Sequence, residues 1–280
     1  MSPSSRYATI NSDYPASDLT DAQKRHIWVQ TQLRTVTNNY LDGINIDFEG
    51  TIPKTRVDLR DGLSALVNEA FKTFKHALPH SQVTIDVPYG PDCVFNRCYD
   101  YPALSVVVDV FFIMEYDELG EGLASPNSGI PRTFKGLSRY IDLLPSQKLL
   151  LGVPRYSYKY KCATLTKNDL CKTSGARTSM PFSDIYRLLL DSGAQRVWNK
   201  ANLSPFFKYK EPTTNELYQI WYDDPESLLY KYALAARTNL RGVGVWHDDC
   251  VDYDKSTMFN FVRQWMWHVL PLRSVKDIVT

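Results

Sequence analysis

No stretch of this sequence is apolar for long enough to cross a bilayer, which takes about 18 or more consecutive apolar residues. Met1 to Asn11 is polar and lacks the apolar core of an export signal. Neither sign of charge dominates. The 32 Lys and Arg stand against 31 Asp and Glu, both signs interspersed, for a net charge of +1. That balance excludes a surface built for nucleic acid or an anionic membrane. No Gly-rich loop is present to cradle a phosphate, and no Ser/His/Asp order points to a hydrolytic triad. The five cysteines do not fit a four-ligand zinc site. His76 and His80 stand four apart but straddle Pro79, His26 and His268 lie on helix surfaces, and neither a metal nor a cofactor is expected. Internal repeats and low-complexity tracts are also lacking. With these classes removed, 280 residues and 32.2 kDa are enough for one large core and one domain.

The cysteines carry a second message. Cys93 with Cys98, and Cys162 with Cys171, are short-range pairs that could each close a surface loop, leaving Cys250 over. Such pairing suits an oxidising compartment; the alternative is five free buried thiols. Asn202-Leu203-Ser204 is a glycosylation sequon, weakened by Pro205. The chain therefore reads as an exported protein whose export signal is absent. A monomer is expected.

Its chemistry concentrates in Tyr40 to Gly50. Ile44, Ile46 and Phe48 alternate there with Asn45, Asp47 and Glu49. This is the two-residue period of a strand with one apolar and one polar face. Alternation alone also fits a half-exposed edge strand. Asp47 and Glu49, however, project to one side with Cβ atoms roughly 6–7 Å apart. Carboxylates that close cannot both ionise freely: one pKa rises, which suits a proton donor, and the other group stays charged. Gly50 then places Glu49 at the C-terminal end of the strand, where barrel enzymes keep their chemistry.

Along the chain, Met1 to Ala16 is Ser/Pro-rich and expected to be irregular, so 1–19 is set apart from a catalytic domain at 20–280. Asp18 or Thr20 caps a helix reaching about Asn39. Asp58 to Ala77 is a helix with Leu59, Leu63, Leu66, Val67, Ala70 and Phe74 on one face. Strands follow at Val83–Val87, within Val106–Met114 and at Lys148–Val153, with a helix at Phe134–Leu144. Residues 156–224 break this rhythm and read as an inserted α+β subdomain, with Phe206–Tyr209 antiparallel to Glu216–Tyr222. Asp224 caps a helix from Pro225 to Thr238, Arg241–Trp246 is a final strand, and Ser256–Val269 is a closing helix with Phe259, Val262, Met266 and Val269 as its apolar stripe. Alternating strands and helices predict an α/β fold with a parallel sheet.

Asp42-Gly43-Ile44-Asn45-Ile46-Asp47-Phe48-Glu49 resembles the Asp-Gly-x-Asp-x-Asp-x-Glu signature of glycoside hydrolase family 18, the chitinase family. Asn45 replaces the second Asp, as in a lysosomal branch of the family, and Phe48 replaces the usual Trp. Met114-Glu115-Tyr116-Asp117 is similar to the family's Met-x-Tyr-Asp. Gly152-Val153-Pro154-Arg155-Tyr156 is similar to its Gly-x-Pro-x-Tyr, with Arg155 at a position usually aromatic, an exchange that could alter a sugar-stacking contact.

The resemblance implies a (β/α)8 TIM barrel and hydrolysis of β-1,4 bonds in N-acetylglucosamine oligosaccharides by retaining, substrate-assisted catalysis. Glu49, Asp47 and Tyr116 would be catalytic; Asn45, Met114, Asp117, Tyr156 and Trp246 would bind substrate. His247 would border the site. It also implies a lysosomal or secreted setting. The alternative is a chitinase-like carbohydrate-binding protein or an inactive isoform. Five strands are counted, at about 41–48, 83–87, 109–114, 148–153 and 241–246, where a barrel needs eight. Because the signature lies on the family's fourth strand, strands 4–8 would be present and 1–3 missing. The edge beside the Asp42 strand would then be open, leaving this chain aggregation-prone and nearly inactive.

Overall fold

The computed structural model describes residues 7–10, 14–118, 120, 122–253 and 257–270. The chain divides into two compact units, Met1–Met114 with Gly136–Leu150, and Glu115–Lys135 with Leu151–Thr280. The first carries β1 (Tyr7–Ile10), α1 (Ala22–Asn38), β2 (Gly43–Ile46), α2 (Val57–Ala77), β3 (Gln82–Pro88), α3 (Tyr101–Val106) and β4 (Val110–Met114). Helix α4 (Ile130–Leu143) and strand β5 (Leu149–Pro154) run across the division.

The four strands of the first unit lie in the order β1-β2-β3-β4 and are parallel throughout. Their connections carry helices, as parallel pairing requires. Helix α2 buries the whole predicted stripe, from Leu59 to Phe74. Helix α1 begins later than expected. Its cap is Asp21, whose carboxylate accepts from the backbone N–H groups of Gln23 at 2.9 Å and Lys24 at 3.1 Å. Asp18 is instead paired with Lys24.

One expectation is overturned at the N-terminus. Residues 7–10 are not irregular: they form β1, in register with β2 from Tyr7 opposite Gly43 to Ile10 opposite Ile46. The strand next to the Asp42 segment is therefore present, and the open edge expected there is covered. Four residues have too little pattern to be read alone, and their order comes from the ladder to β2. On the other side of β2, a Cβ on Gly43 would lie 2.0 Å from the backbone oxygen of Gln82, so only glycine lets β2 and β3 approach.

The second unit continues with β6 (Tyr156–Leu165), β7 (Cys171–Pro181), α5 (Phe182–Asp191), β8 (Val197–Asn199), β9 (Ser204–Lys210), β10 (Leu217–Trp221), α6 (Pro225–Arg237), β11 (Gly242–Trp246) and α7 (Thr257–His268). Strands β6 to β10 make an antiparallel sheet in the order β7-β6-β10-β9-β8. The β9–β10 hairpin was legible, whereas β6 and β7 were not, because their outer halves are exposed and lack a clean alternation. The disulfide Cys162–Cys171 ties β6 to β7, and Cys93–Cys98 closes the loop after β3; Cys250 is free and buried.

Helix α6 starts as its sequence predicts. Asp224 accepts from Ser227 N at 3.0 Å, Ser227 Oγ accepts from Asp224 N at 2.9 Å, and Pro225 takes the first turn. In α7, Val262 and Met266 are buried as expected; the side chain of Phe259 and residue Ser256 lie outside the described residues. Among the described residues, no helix is long and apolar enough to cross a membrane.

Lys231 on α6 is fully buried and paired with Asp223, whose other oxygen accepts from Ser227 Oγ at 2.7 Å. Removing one partner of a buried pair leaves the other charge uncompensated. Lys231→Met is expected to cost about 3–5 kcal/mol in a denaturant melt; a loss below about 1 kcal/mol would mean that Asp223 finds water or a proton instead.

Candidate active site

Strand β2 ends at Ile46, two residues earlier than expected, yet the alternation persists through Glu49. Ile44, Ile46 and Phe48 are buried, while Asn45 and Asp47 are half-buried and Glu49 is exposed. The extension beyond the ladder is held from outside. The Tyr99 hydroxyl donates to Phe48 O at 2.5 Å, and the two rings lie 6.4 Å apart. Tyr99 packs on Tyr101, whose hydroxyl bonds that of Tyr140 at 3.1 Å, and Tyr140 donates to Pro88 O at 2.7 Å. Buried hydroxyls thus pin the peptide between the two carboxylates, and with it the direction in which each points.

Glu49 is paired with Arg97, which is itself buried. Arg97 belongs to the loop closed by Cys93–Cys98, and that loop is fastened to the chain just after Glu49. Ile52 N donates to Asn96 O at 2.8 Å, and Cys98 N donates to Ile52 O at 3.0 Å. The disulfide loop therefore delivers a cation to the carboxylate.

Asn45 is clamped by the next strand. Thr84 Oγ1 donates to Asn45 Oδ1 at 2.7 Å, and Asn45 Nδ2 donates to Asp86 Oδ2 at 2.9 Å. Asp47 Oδ1 is buried and accepts no hydrogen bond among the described residues. Burial, with the Glu49 charge beside it, pushes Asp47 up to about 6, against the pull of Arg97. Burial and the charges of Asp47 and Glu49 push Asp86 up to about 8, although its hydrogen bond from Asn45 works the other way. The raised pKa that the sequence pattern called for thus falls on Asp47, and a second falls on a third carboxylate, Asp86. Thr84 and Asp86 repeat on β3 the alternation seen on β2, a signal that was readable; Arg97 carried none beyond its place beside Cys98.

Met114 ends β4 in the first unit and is half-buried. The other predicted residues belong to the second unit. Tyr116 is buried with its ring edge-on to Tyr156 at 6.0 Å. Asp117 has a positive φ of 60° and receives the hydroxyls of Tyr156 and Tyr158, each at 2.7 Å, while its N–H donates to Asn127 Oδ1 at 2.7 Å. Burial and the Asp117 carboxylate push both phenols up. Glu115 and Glu118 are buried as well; burial and Glu118 raise Glu115 far above the carboxylate range, and Glu118 is pushed up to about 7 by burial. Trp246 ends β11 half-exposed, its ring edge-on to His247.

Arg155 is 1% exposed, its guanidinium lies 3.8 Å from the Trp267 ring centroid, and Nη2 donates to Met266 O at 3.3 Å. It packs into the core beneath α7. Among the described residues, His247, Asp248 and Asp249 are the group whose ligand atoms could converge on a cation, lying within 4.8 Å of one another. Both aspartates are exposed.

Past the end of β2 the chain thus sets two carboxylates, Asp47 and Glu49, beside Arg97 and near Asp86. Comparison with known proteins gives the lineage. Residues 5–250 match the family described as Glycosyl hydrolases family 18. The chain is 31% identical over 280 residues to di-N-acetylchitobiase of Mus musculus, spanning 94% of this chain and 76% of that protein. It is 31% identical over 277 residues to di-N-acetylchitobiase of Homo sapiens, spanning 93% and 71%. Among solved structures, class V chitinase from Nicotiana tobaccum superposes with a TM-score of 0.75 at 19% identity, over 92% of this chain and 79% of that one. A chitinase from Chromobacterium violaceum gives 0.73 at 20% identity, over 93% and 79%. At those identities the structures speak for the fold; the family match and the nearer relatives speak for the lineage. The chain belongs to glycosyl hydrolases family 18 and is a glycosidase.

Proposed function

We propose that this glycosidase hydrolyses β-1,4 bonds in N-acetylglucosamine oligosaccharides, and in particular the chitobiose core of asparagine-linked glycans, with retention of configuration. The observation that carries the reading is Glu49 and Asp47 set on one side of the extended chain past the end of β2. Glu49 gives its proton to the glycosidic oxygen as the C1–O bond breaks. The acetamido oxygen of the substrate attacks C1 to form an oxazolinium ion, so no enzyme carboxylate is needed as nucleophile. Water then opens that ion while Glu49 takes back a proton. Asp47 orients the acetamido N–H and stabilises the cation, and Tyr116, by its motif, holds the acetamido carbonyl. Asn45 keeps one Nδ2 hydrogen for the sugar, its other being spent on Asp86. Met114 and Trp246 supply apolar contact, and Asp117 sets Tyr156 in place. The reading includes a monomeric enzyme of the lysosome or of secretion, a setting that two disulfides support.

A carbohydrate-binding protein of the same family is the second reading. The presence of Glu49 at the acid position of the signature favours turnover. Incubating the protein with N,N′-diacetylchitobiose and following the anomer first released decides between them. Release of the β anomer is expected; binding without release would leave the second reading standing.

Arg97 offers a signed test of the same centre. Its positive charge pulls the Asp47 carboxyl down, so Arg97→Leu should move the acidic limb of the pH–rate profile, which Asp47 sets at about 6, to higher pH. A limb that stays in place would show that Arg97 and Asp47 part once substrate is bound.

A further inference from the structure

Strand β3 presents Val83, Ile85 and Val87 fully buried on one side, with Thr84 and Asp86 on the other. In the parallel register Asn45 stands opposite Thr84, so the polar faces of β2 and β3 are continuous. Asn45 occupies an acidic position of the signature, and an amide can neither hold nor release a proton. Its orientation is settled by two bonds, from the Thr84 hydroxyl to its oxygen at 2.7 Å and from its nitrogen to Asp86 Oδ2 at 2.9 Å.

We propose that Asp86 is a positioning residue for hydrolysis, anchoring the Asn45 amide from β3. The proposal rests on the function given above. The charged groups acting on Asp86 are Asp47 and Glu49, from the chain leaving β2; Asn45 adds a hydrogen bond, and the residue paired with Asp86 on β4 is Phe112, which is apolar. Asp86 is pushed up to about 8 and Asp47 to about 6. Between those values Asp47 carries its charge while Asp86 is a neutral acid. Asp47 thus carries its charge without a second buried anion at its side. Above about pH 8 that second anion forms, and the site changes its charge.

The test compares the full chain with its Asp86→Ala and Asp86→Asn variants on an N-acetylglucosamine oligosaccharide, with kcat and KM measured across pH. Asp86→Ala leaves Asn45 held by Thr84 alone and should lower kcat about 10²-fold, the scale of a small misplacement, while KM moves less than about threefold. Asp86→Asn keeps an oxygen for Asn45 but cannot ionise. It should stand at least about tenfold above the alanine variant, and its profile should lack the step near 8 shown by the wild type. A substrate-free carboxyl carbon-13 titration reads the same group without activity. The carboxyl titrating near 8 disappears in Asp86→Asn and moves to lower pH in Asp47→Asn, where a neighbouring charge is gone. An Asp86→Ala variant within about threefold of an active wild type, or a titration unchanged in Asp86→Asn, would overturn this proposal alone. A wild type that hydrolyses none of these sugars would overturn the functional reading and this proposal with it.

Discussion

Glu49→Gln is expected to lower kcat on N-acetylglucosamine oligosaccharides by about 10³-fold or more, the upper part of what a positioned general acid contributes. The amide fills the space of the carboxyl and can still receive the Arg97 guanidinium through its oxygen, but it has no proton to give at the acidity of a leaving sugar oxygen. The fold around it should be undisturbed, because the extended segment is held through Phe48 O and Tyr99, not through the Glu49 side chain. Sugar binding should therefore persist, and calorimetric affinity for an unhydrolysed oligosaccharide should stay within about threefold while turnover collapses. Activity within tenfold of the wild type would remove Glu49 from the role of acid.

Asp47→Asn should act through charge. The carboxylate that stabilises a developing cation is lost, and a rate lower by about 10²-fold is the scale set by removing one such electrostatic contact. The sign of the pH effect follows from the neighbours. Burial and the Glu49 charge push the Asp47 carboxyl up to about 6, so Asp47→Asn should lose the acidic limb that this group sets near that pH. Asp86 loses the larger of its two charged neighbours in the same variant, and its titration near 8 should fall with it. Reduced turnover with an unmoved limb would mean that Asp47 serves only to hold the substrate.

Arg97 and Asp47 act on the same acidic limb in different ways, which makes the pair of variants more informative than either alone. Arg97→Leu moves it upward because a cation beside Asp47 leaves; Asp47→Asn removes it because the titrating group is gone. A downward move in Arg97→Leu would point to rearrangement of the loop closed by Cys93–Cys98 and away from direct electrostatics.

The parts of this protein that its sequence determined unaided are those built from local period and local chemistry. Alternation over 44–49 separates Ile44, Ile46 and Phe48 from Asn45, Asp47 and Glu49, and the burial of the folded chain follows it residue by residue. The stripe of α2, the capping box at Asp224, the β9–β10 hairpin and both short disulfides are likewise near-neighbour effects that need no knowledge of what lies across the fold. Tertiary structure decided the rest. Strand β1 exists because β2 offers it a ladder, and its four residues hold no pattern of their own. Asp86 meets Asn45 across 41 residues and Arg97 meets Glu49 across 48, distances at which periodicity carries no information about partners. Arg155 stands beside a catalytic motif yet turns into the core, because Trp267 and the carbonyl of Met266 wait there to take its guanidinium. The raised proton affinity followed the same rule: two carboxylates at strand spacing were enough to demand it, but burial and the convergence of a third carboxylate chose where it fell.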